Sequence, residues 1–340
     1  MNCCLLPKKE AQGKENNSSF EKGNMSKDKE RKIGVLMEKR NEKKVELSIV
    51  IVNYNDKAHL ESCLSSLEAN AQELNLEILV VDNNSSDGSQ EFIEKRFPKI
   101  RLIRNKGNKG FSRANNQAIR ESRGEFILFL NTDTVLFEKT IELLLEEMKG
   151  NPQVGALGPA LLRQPNVYQA SFGRKVSFFS EVLQKCFLNP YYKLLLKIVQ
   201  KKREVGWLSG ACLLTRRDIL DEVGLFDENF FLYFEDIDLC FRIKKRGWKL
   251  VYFPQAKVFH EGGVTTTPLK FSSRLEYRKS QLYFYQKHNS KTSLFLLRLY
   301  LGLNFSLLYF WGWLKKDKNA LLRSSYFHLL KAAKEKEWKK

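Results

Sequence analysis

No Cys-x-x-Cys pair occurs in this chain, although six cysteines are spread over its 340 residues. That spacing excludes a zinc knuckle. Cys63, Cys212 and Cys240 lie in apolar contexts and read as small buried hydrophobes of a reducing compartment. Cys3 and Cys4 have no small-residue lipobox before them, which argues against lipidation there. The opening MNCCLLPKKE holds too short an apolar run for a secretory signal. No G-x-G-x-x-G follows the first apolar run, and no Walker A sequence is present, so neither a dinucleotide fold nor a P-loop is indicated. Acids are outnumbered: 58 Lys and Arg stand against 39 Asp and Glu, a net charge of +19. The excess favours acidic partners such as phosphorylated substrates or anionic lipid. It is marked in both tails while the internal motifs are acidic, which argues against a nucleic-acid-binding protein.

What the chain does have is alternation. LSIVIVNYN (47–55), LEILVV (76–81) and EFILFL (125–130) read as buried parallel strands. Helical spacing is expected at 59–69, 91–96, 111–120, 141–149, 218–223 and 235–246, the last stopped by Gly247. Short strands are expected at 100–104 and 248–253, with another before His260, and the stretch 163–204 reads as irregular. The pattern is that of an α/β fold with a mostly parallel sheet flanked by helices. Polar loops follow two strand ends, at Asp82–Ser89 and Asn131–Thr134, and that edge is where such sheets bind ligands.

Four groups of residues could carry chemistry. FFLYFEDIDLCFR (230–242) sets Glu235, Asp236 and Asp238 among aromatics. Alone, it fits either an amphipathic helix with a solvated acidic edge or a general base or metal site. Asp82 ends a buried strand and could accept from a base N–H or a ribose hydroxyl, or simply shape a turn. Asn131-Thr132-Asp133 could hold a divalent cation on a diphosphate, or cap a helix. His260 precedes two glycines and could ligate a metal, although a lone histidine is more often structural.

SIVIVNYN, LVVDNNSSDGS, NKGFSRANN, FLNTDT, WLSGACLLTRR, GLFDENFFLYFEDIDLCFRIKKRGWKL and FHEGG, in that order, resemble the family 2 inverting glycosyltransferases, and within them a bacterial rhamnosyltransferase-like branch. The resemblance covers about residues 46–265 and implies the GT-A nucleotide-diphospho-sugar fold. It implies a nucleotide-sugar half at 46–150 and an acceptor half at 151–265, between a disordered basic arm (1–45) and a helical, membrane-associating tail (266–340). It implies Asp236 as general base with Glu235 in support. Asn53, Tyr54, Asp82, Asn108, Gly110, Asn116 and Asn131 would bind the nucleotide-sugar, and Trp207, Ser209, Gly210 and Ala211 the acceptor. Asp133 and His260 would hold Mg2+ or Mn2+. Asn131 departs from the family's usual Asp-x-Asp, which weakens that ligand set. The implied reaction transfers a sugar from dTDP-rhamnose or a UDP-sugar to a glycan or lipid-linked acceptor in cell-surface polysaccharide synthesis. An inactive scaffold or binding protein of the same fold is the alternative.

Leu294–Leu314 is apolar but carries Arg298, Asn304 and Ser306. It suits an in-plane interfacial helix better than a spanning one, with a core helix as the plain alternative. The expected location is the cytoplasmic face of the inner membrane.

Overall fold

A computed structural model describes residues 45–71, 74–165, 167–174, 176–183, 200–262 and 270–314. The expected basic arm and the end of the expected tail lie outside them. Strands β1 (Leu47–Asn53), β2 (Leu76–Asp82), β3 (Arg101–Arg104) and β4 (Phe126–Asn131) form the parallel half of one sheet, in the order β3-β2-β1-β4. β11 (Cys212–Arg216) then pairs antiparallel with β4 and with β6 (Val154–Gln164). β12 (Lys249–His260) runs parallel to β6, and β5 (Thr134–Leu136) closes the edge antiparallel to β12.

The strands are apolar on both faces because both faces are covered. Ile49, Ile51, Val80, Leu128 and Leu130 face one layer, in which α1 (Lys57–Asn70) contributes Leu60, Cys63, Leu64 and Leu67 and α4 (Thr140–Gly150) contributes Ile141, Leu144 and Leu145. α2 (Ser89–Arg96) adds Ile93 to that layer. The alternate residues Val50, Leu79, Val81, Ile127 and Phe129 face α3 (Phe111–Glu121), α6 (Arg217–Val223) and α7 (Glu235–Lys245). Each fully buried aliphatic side chain in these layers contributes about 1.5–3 kcal/mol. Cys63, Cys212 and Cys240 are buried free thiols within them, as their contexts predicted.

Two departures from the expected elements have clear causes. β12 is one long strand where two short ones were expected. It survives Pro254, which has no ladder donor, by a register shift between Phe253 and Lys257. The stretch read as irregular contains β7 (Val167–Tyr168), β8 (Phe172–Gly173), α5 (Phe178–Leu183) and β9 (Arg203–Glu204), followed by β10 (Trp207–Leu208). These pieces are too short for a periodic signal.

Beyond β12, α8 (Lys270–His288) and α9 (Lys291–Leu314) make a helical hairpin. It builds a third core in which Leu282, Phe284, Tyr285, Leu297 and Leu301 pack with Phe230 and Phe234. The segment just before α7 is therefore held from the far end of the chain.

Candidate active site

The C-terminal ends of β1, β2, β4 and β12 share one edge with the start of β11, since β11 runs against β4. Asn53, Asp82, Asn131, Ala211 and His260 meet there, and the Asn131 N–H donates to Ala211 O at 3.0 Å.

At the β1–β2 side, Asp82 is fully buried. Its Oδ2 accepts from Asn53 Nδ2 at 2.7 Å, and its Oδ1 accepts from Ser85 N at 2.8 Å and Gln90 Nε2 at 2.5 Å. Asp82 thus shapes its own turn and holds Asn53, whose buried Oδ1 has no hydrogen-bond partner among the described residues. Tyr54 is exposed beside it. Asn108 accepts from Gly110 N at 3.0 Å. Gly110 has φ +84°, and a Cβ there would meet Phe231 at 2.7 Å, so only glycine fits. Asn116 lies deeper: it donates to Phe226 O and Glu228 and accepts from Phe226 N, tying α3 to the loop before α7.

At the β4–β12 side, the pairing of β12 with β5 sets His260 opposite Thr134. His260 Nε2 consequently lies 3.3 Å from Asp133 Oδ1, while Gly262 N donates to Asp133 Oδ2 at 3.1 Å. Burial raises the Asp133 carboxyl, but His260 and the Gly262 N–H outweigh it and hold the group below its ordinary value. Next to it, Thr132 donates to Asp56 Oδ2 at 2.5 Å, and Asp56 pairs with His59. His59 Nε2 reaches Glu261 at 3.3 Å. Burial raises the Asp56 carboxyl despite Thr132 and His59. Burial lowers the His59 ring, but Asp56 outweighs it and the net shift is upward. Among the described residues no group of three or more His, Cys, Asp or Glu could hold a metal ion by itself.

The acidic island starts α7 on a strained turn. Tyr233 and Phe234 have φ of 69° and 67°, a left-handed conformation that costs bulky residues about 1–3 kcal/mol each. α8 holds that turn. Ser280 Oγ donates to Leu232 O at 2.8 Å, and Tyr277 packs edge-on against both Tyr233 and Phe234. The turn aims Asp236 at the sheet edge, where Gly210 N donates to its Oδ2 at 2.8 Å. A Cβ at Gly210 would come within 3.1 Å of Asp236, a tight contact that glycine avoids. Burial raises the Asp236 carboxyl, against the Gly210 and Ile237 N–H groups. Glu235 is buried, its Oε2 without a hydrogen-bond partner among the described residues; burial first, and then the charge of Asp236, push it well above its ordinary value. Asp238 points the other way, to Arg242, Lys287 and His288.

A half-buried carboxylate set beside small residues, across the sheet edge from a second carboxylate and an imidazole, is an arrangement suited to group transfer. The glycosyl transferase family 2 model matches residues 48–224. An N-acetylglucosaminyl-diphospho-decaprenol L-rhamnosyltransferase of Mycobacterium tuberculosis is 32% identical over 263 residues, covering 72% of this chain and 85% of that one. The chain belongs to glycosyl transferase family 2. Its fold matches a mannosyltransferase from Pyrobaculum calidifontis in complex with GDP-Man and Mn2+ at a TM-score of 0.52 and 16% identity, over 85% of this chain and 86% of that one. It also matches GalNAc-T7 with UDP, GalNAc and Mn2+ at a TM-score of 0.52 and 18% identity, over 72% of this chain and 50% of that one. The fold is therefore GT-A and the chain is a glycosyltransferase, as the motifs implied.

Sequence reasoning did not find Asp56, His59, Gln169 or Glu261 in this glycosyltransferase, although all four stand around Asp133 and His260. For two of them a signal was present. Asp56 and His59 follow NYN at a strand end, three residues apart at the start of a helix, which is a spacing that lets side chains meet.

Proposed function

We propose that this glycosyltransferase is inverting. It moves a sugar from a nucleotide-diphospho-sugar, dTDP-rhamnose or a UDP-sugar, to a hydroxyl of a lipid-linked glycan acceptor in cell-surface polysaccharide synthesis. The observation that carries this reading is Asp236. It is one half-buried carboxylate with a raised pKa, oriented by two backbone N–H groups at the ligand edge. Inversion needs one base to take the acceptor's proton in a single displacement. A retaining hydrolase would need two carboxylates flanking the bond, and Glu235 is buried behind Asp236.

Asn53 Oδ1, buried and without a hydrogen-bond partner among the described residues, supports a base-recognising role for the Asn53–Asp82 pair at the nucleotide side. At the other side, Asp133 and His260 fit a divalent cation that arrives with a diphosphate. One carboxylate and one imidazole suit Mn2+ or Mg2+ when phosphate oxygens and water complete the shell. The chemistry such an ion supplies is charge relief on the departing diphosphate. Both structural neighbours have Mn2+ in their complexes.

The acceptor reading draws on the mycobacterial relative, whose name specifies a diphospho-decaprenol. Beside Trp207, on the flank of α7, lies a cavity of about 470 Å³. Ile237, Phe241 and Phe284 line it together with Arg174, Lys245, and Lys244 paired to Glu204. An apolar lining with a basic excess suits an isoprenoid diphosphate. The test is a transfer assay with dTDP-rhamnose and UDP-sugars and an acceptor sugar linked to a polyprenyl diphosphate. One donor should give glycosylated lipid; hydrolysis or inertness with all of them would sink the proposal.

Contact with the cytoplasmic membrane surface belongs to the same reading. Among the described residues no helix is long and apolar enough to cross a membrane. On α9, Leu297 and Leu301 are buried in the hairpin core, while Phe295, Leu299, Leu303 and Leu307 are 49–63% exposed along another face. Such a stripe suits in-plane insertion at an anionic bilayer. Leu299→Glu with Leu303→Glu should abolish cosedimentation with phosphatidylglycerol vesicles without changing Tm. Undiminished binding would remove the stripe as the contact.

A further inference from the structure

Gln169 belongs to none of the motifs, yet its side chain makes two bonds to a single residue of the site. It lies just past β7, its own N–H fixed to Leu161 O at 2.8 Å. Its Nε2 donates to the main-chain oxygen of His260 at 2.5 Å, and its Oε1 lies 2.8 Å from His260 Nδ1. The first bond settles the amide's orientation, because a carbonyl oxygen can only accept and must face the NH2 end. The second bond then settles the ring. Oε1 can only accept, so Nδ1 carries the proton. In the neutral imidazole, Nε2 is left as a bare lone pair.

That lone pair faces Asp133 Oδ1 at 3.3 Å, and Oδ1 is itself an acceptor. The other oxygen of Asp133 is already engaged by Gly262 N. Two acceptors opposed at that distance repel each other unless a cationic centre lies between them, either a proton or a metal ion. A histidine offered to a metal in this form commonly has its second nitrogen donating to a carbonyl or carboxylate, and loss of that partner typically weakens metal binding about 10–100-fold.

We propose that Gln169 is a positioning residue. It locks His260 as the Nδ1–H tautomer and so presents Nε2, jointly with Asp133, to the cation that accompanies the donor diphosphate. This rests on the proposed reading of Asp133 and His260 as the cation's protein ligands. The same two bonds also hold the end of β12, because one of them lands on main chain. Gly262 turns that corner at a φ of +73°, a conformation that favours glycine.

The chain contains four histidines, so the tautomer can be read directly. Long-range 15N–1H spectra of 15N-histidine-labelled protein, with His260→Ala for assignment, should show a protonated Nδ1 at His260 throughout, and an Nε2 free of its proton once Mg2+ and UDP are bound. Gln169→Leu should mix the two tautomers. Gln169→Glu, whose carboxylate gives up the bond to His260 O but still accepts from Nδ1, should keep the wild-type tautomer. In parallel, Mn2+ titrated in the presence of UDP and followed by electron paramagnetic resonance should bind about 10–100-fold more weakly to Gln169→Leu. It should bind Gln169→Glu nearly as tightly as wild type. A bare Nδ1 at His260 in the wild-type protein, or wild-type Mn2+ affinity in Gln169→Leu while His260→Ala has lost it, overturns the role of Gln169 and leaves the cation site standing. Undiminished Mn2+ affinity in His260→Ala overturns the cation site itself, and with it the purpose assigned to the tautomer.

Discussion

Asp236→Asn is expected to lower kcat by about 10²–10⁴-fold, the usual worth of a positioned general base, while leaving donor affinity within about twofold of wild type. Asparagine keeps the shape of the side chain and an acceptor oxygen for one of the two N–H groups, Gly210 and Ile237, which donate to different oxygens of Asp236; Ser280 and Tyr277 still hold the turn before α7. What asparagine cannot do is take a proton. The wild-type pH profile should carry the same signature. Burial holds the Asp236 carboxyl above its ordinary value. The acid limb of kcat/KM should therefore lie above the usual aspartate pKa of about 4. Below that limb the base is protonated and idle; as pH rises through it, activity appears. Single-turnover assays with calorimetric donor binding check both halves. Retained turnover in Asp236→Asn would move the base elsewhere.

Asp238→Ala should destabilise the protein by about 3–5 kcal/mol, the usual result of removing one partner from a buried ion cluster. Asp238 is fully buried. It meets Arg242 Nε at 2.8 Å, Lys287 Nζ at 2.7 Å and His288 Nε2 at 2.6 Å. Without it, Arg242 and Lys287 face one another beside His288 where α8 meets α7. Burial alone would raise this carboxyl, but His288, Arg242 and Lys287 bring it down to about 2. A lowered acid stabilises the fold above its unfolded pKa and loses that contribution as pH falls. About 2 kcal/mol should therefore disappear between pH 4 and pH 2. Denaturant titrations at several pH values measure both effects. A variant with wild-type stability and the same acid sensitivity would contradict the role given to this cluster.

These two acids are neighbours in sequence and opposite in task, and only part of that division was legible beforehand. Alternating apolar runs gave β1, β2 and β4 because strands covered on both faces must be apolar throughout. The acids at their ends stood out because they interrupt those runs. Asp238 could be paired with Arg242 from helical spacing alone. Its partners Lys287 and His288 could not be read, because they come from a helix about fifty residues further on. The same distance hid the clamp of Ser280 and Tyr277 on the strained turn at Tyr233 and Phe234. Asn116 looked like a ligand residue in its motif, whereas its side chain is engaged with Phe226 and Glu228. Gln169 carried no signal at all, since a single glutamine in a stretch of two-residue strands has no periodicity to read.

The central claim is a single displacement driven by one base, Asp236. The most direct measurement is the anomeric configuration of the product, determined by NMR on lipid-linked glycan made by the wild-type enzyme from a donor of known anomer. The account predicts a product of opposite configuration to the donor. A product that keeps the donor's configuration would require two displacements or a front-face reaction, and would contradict it.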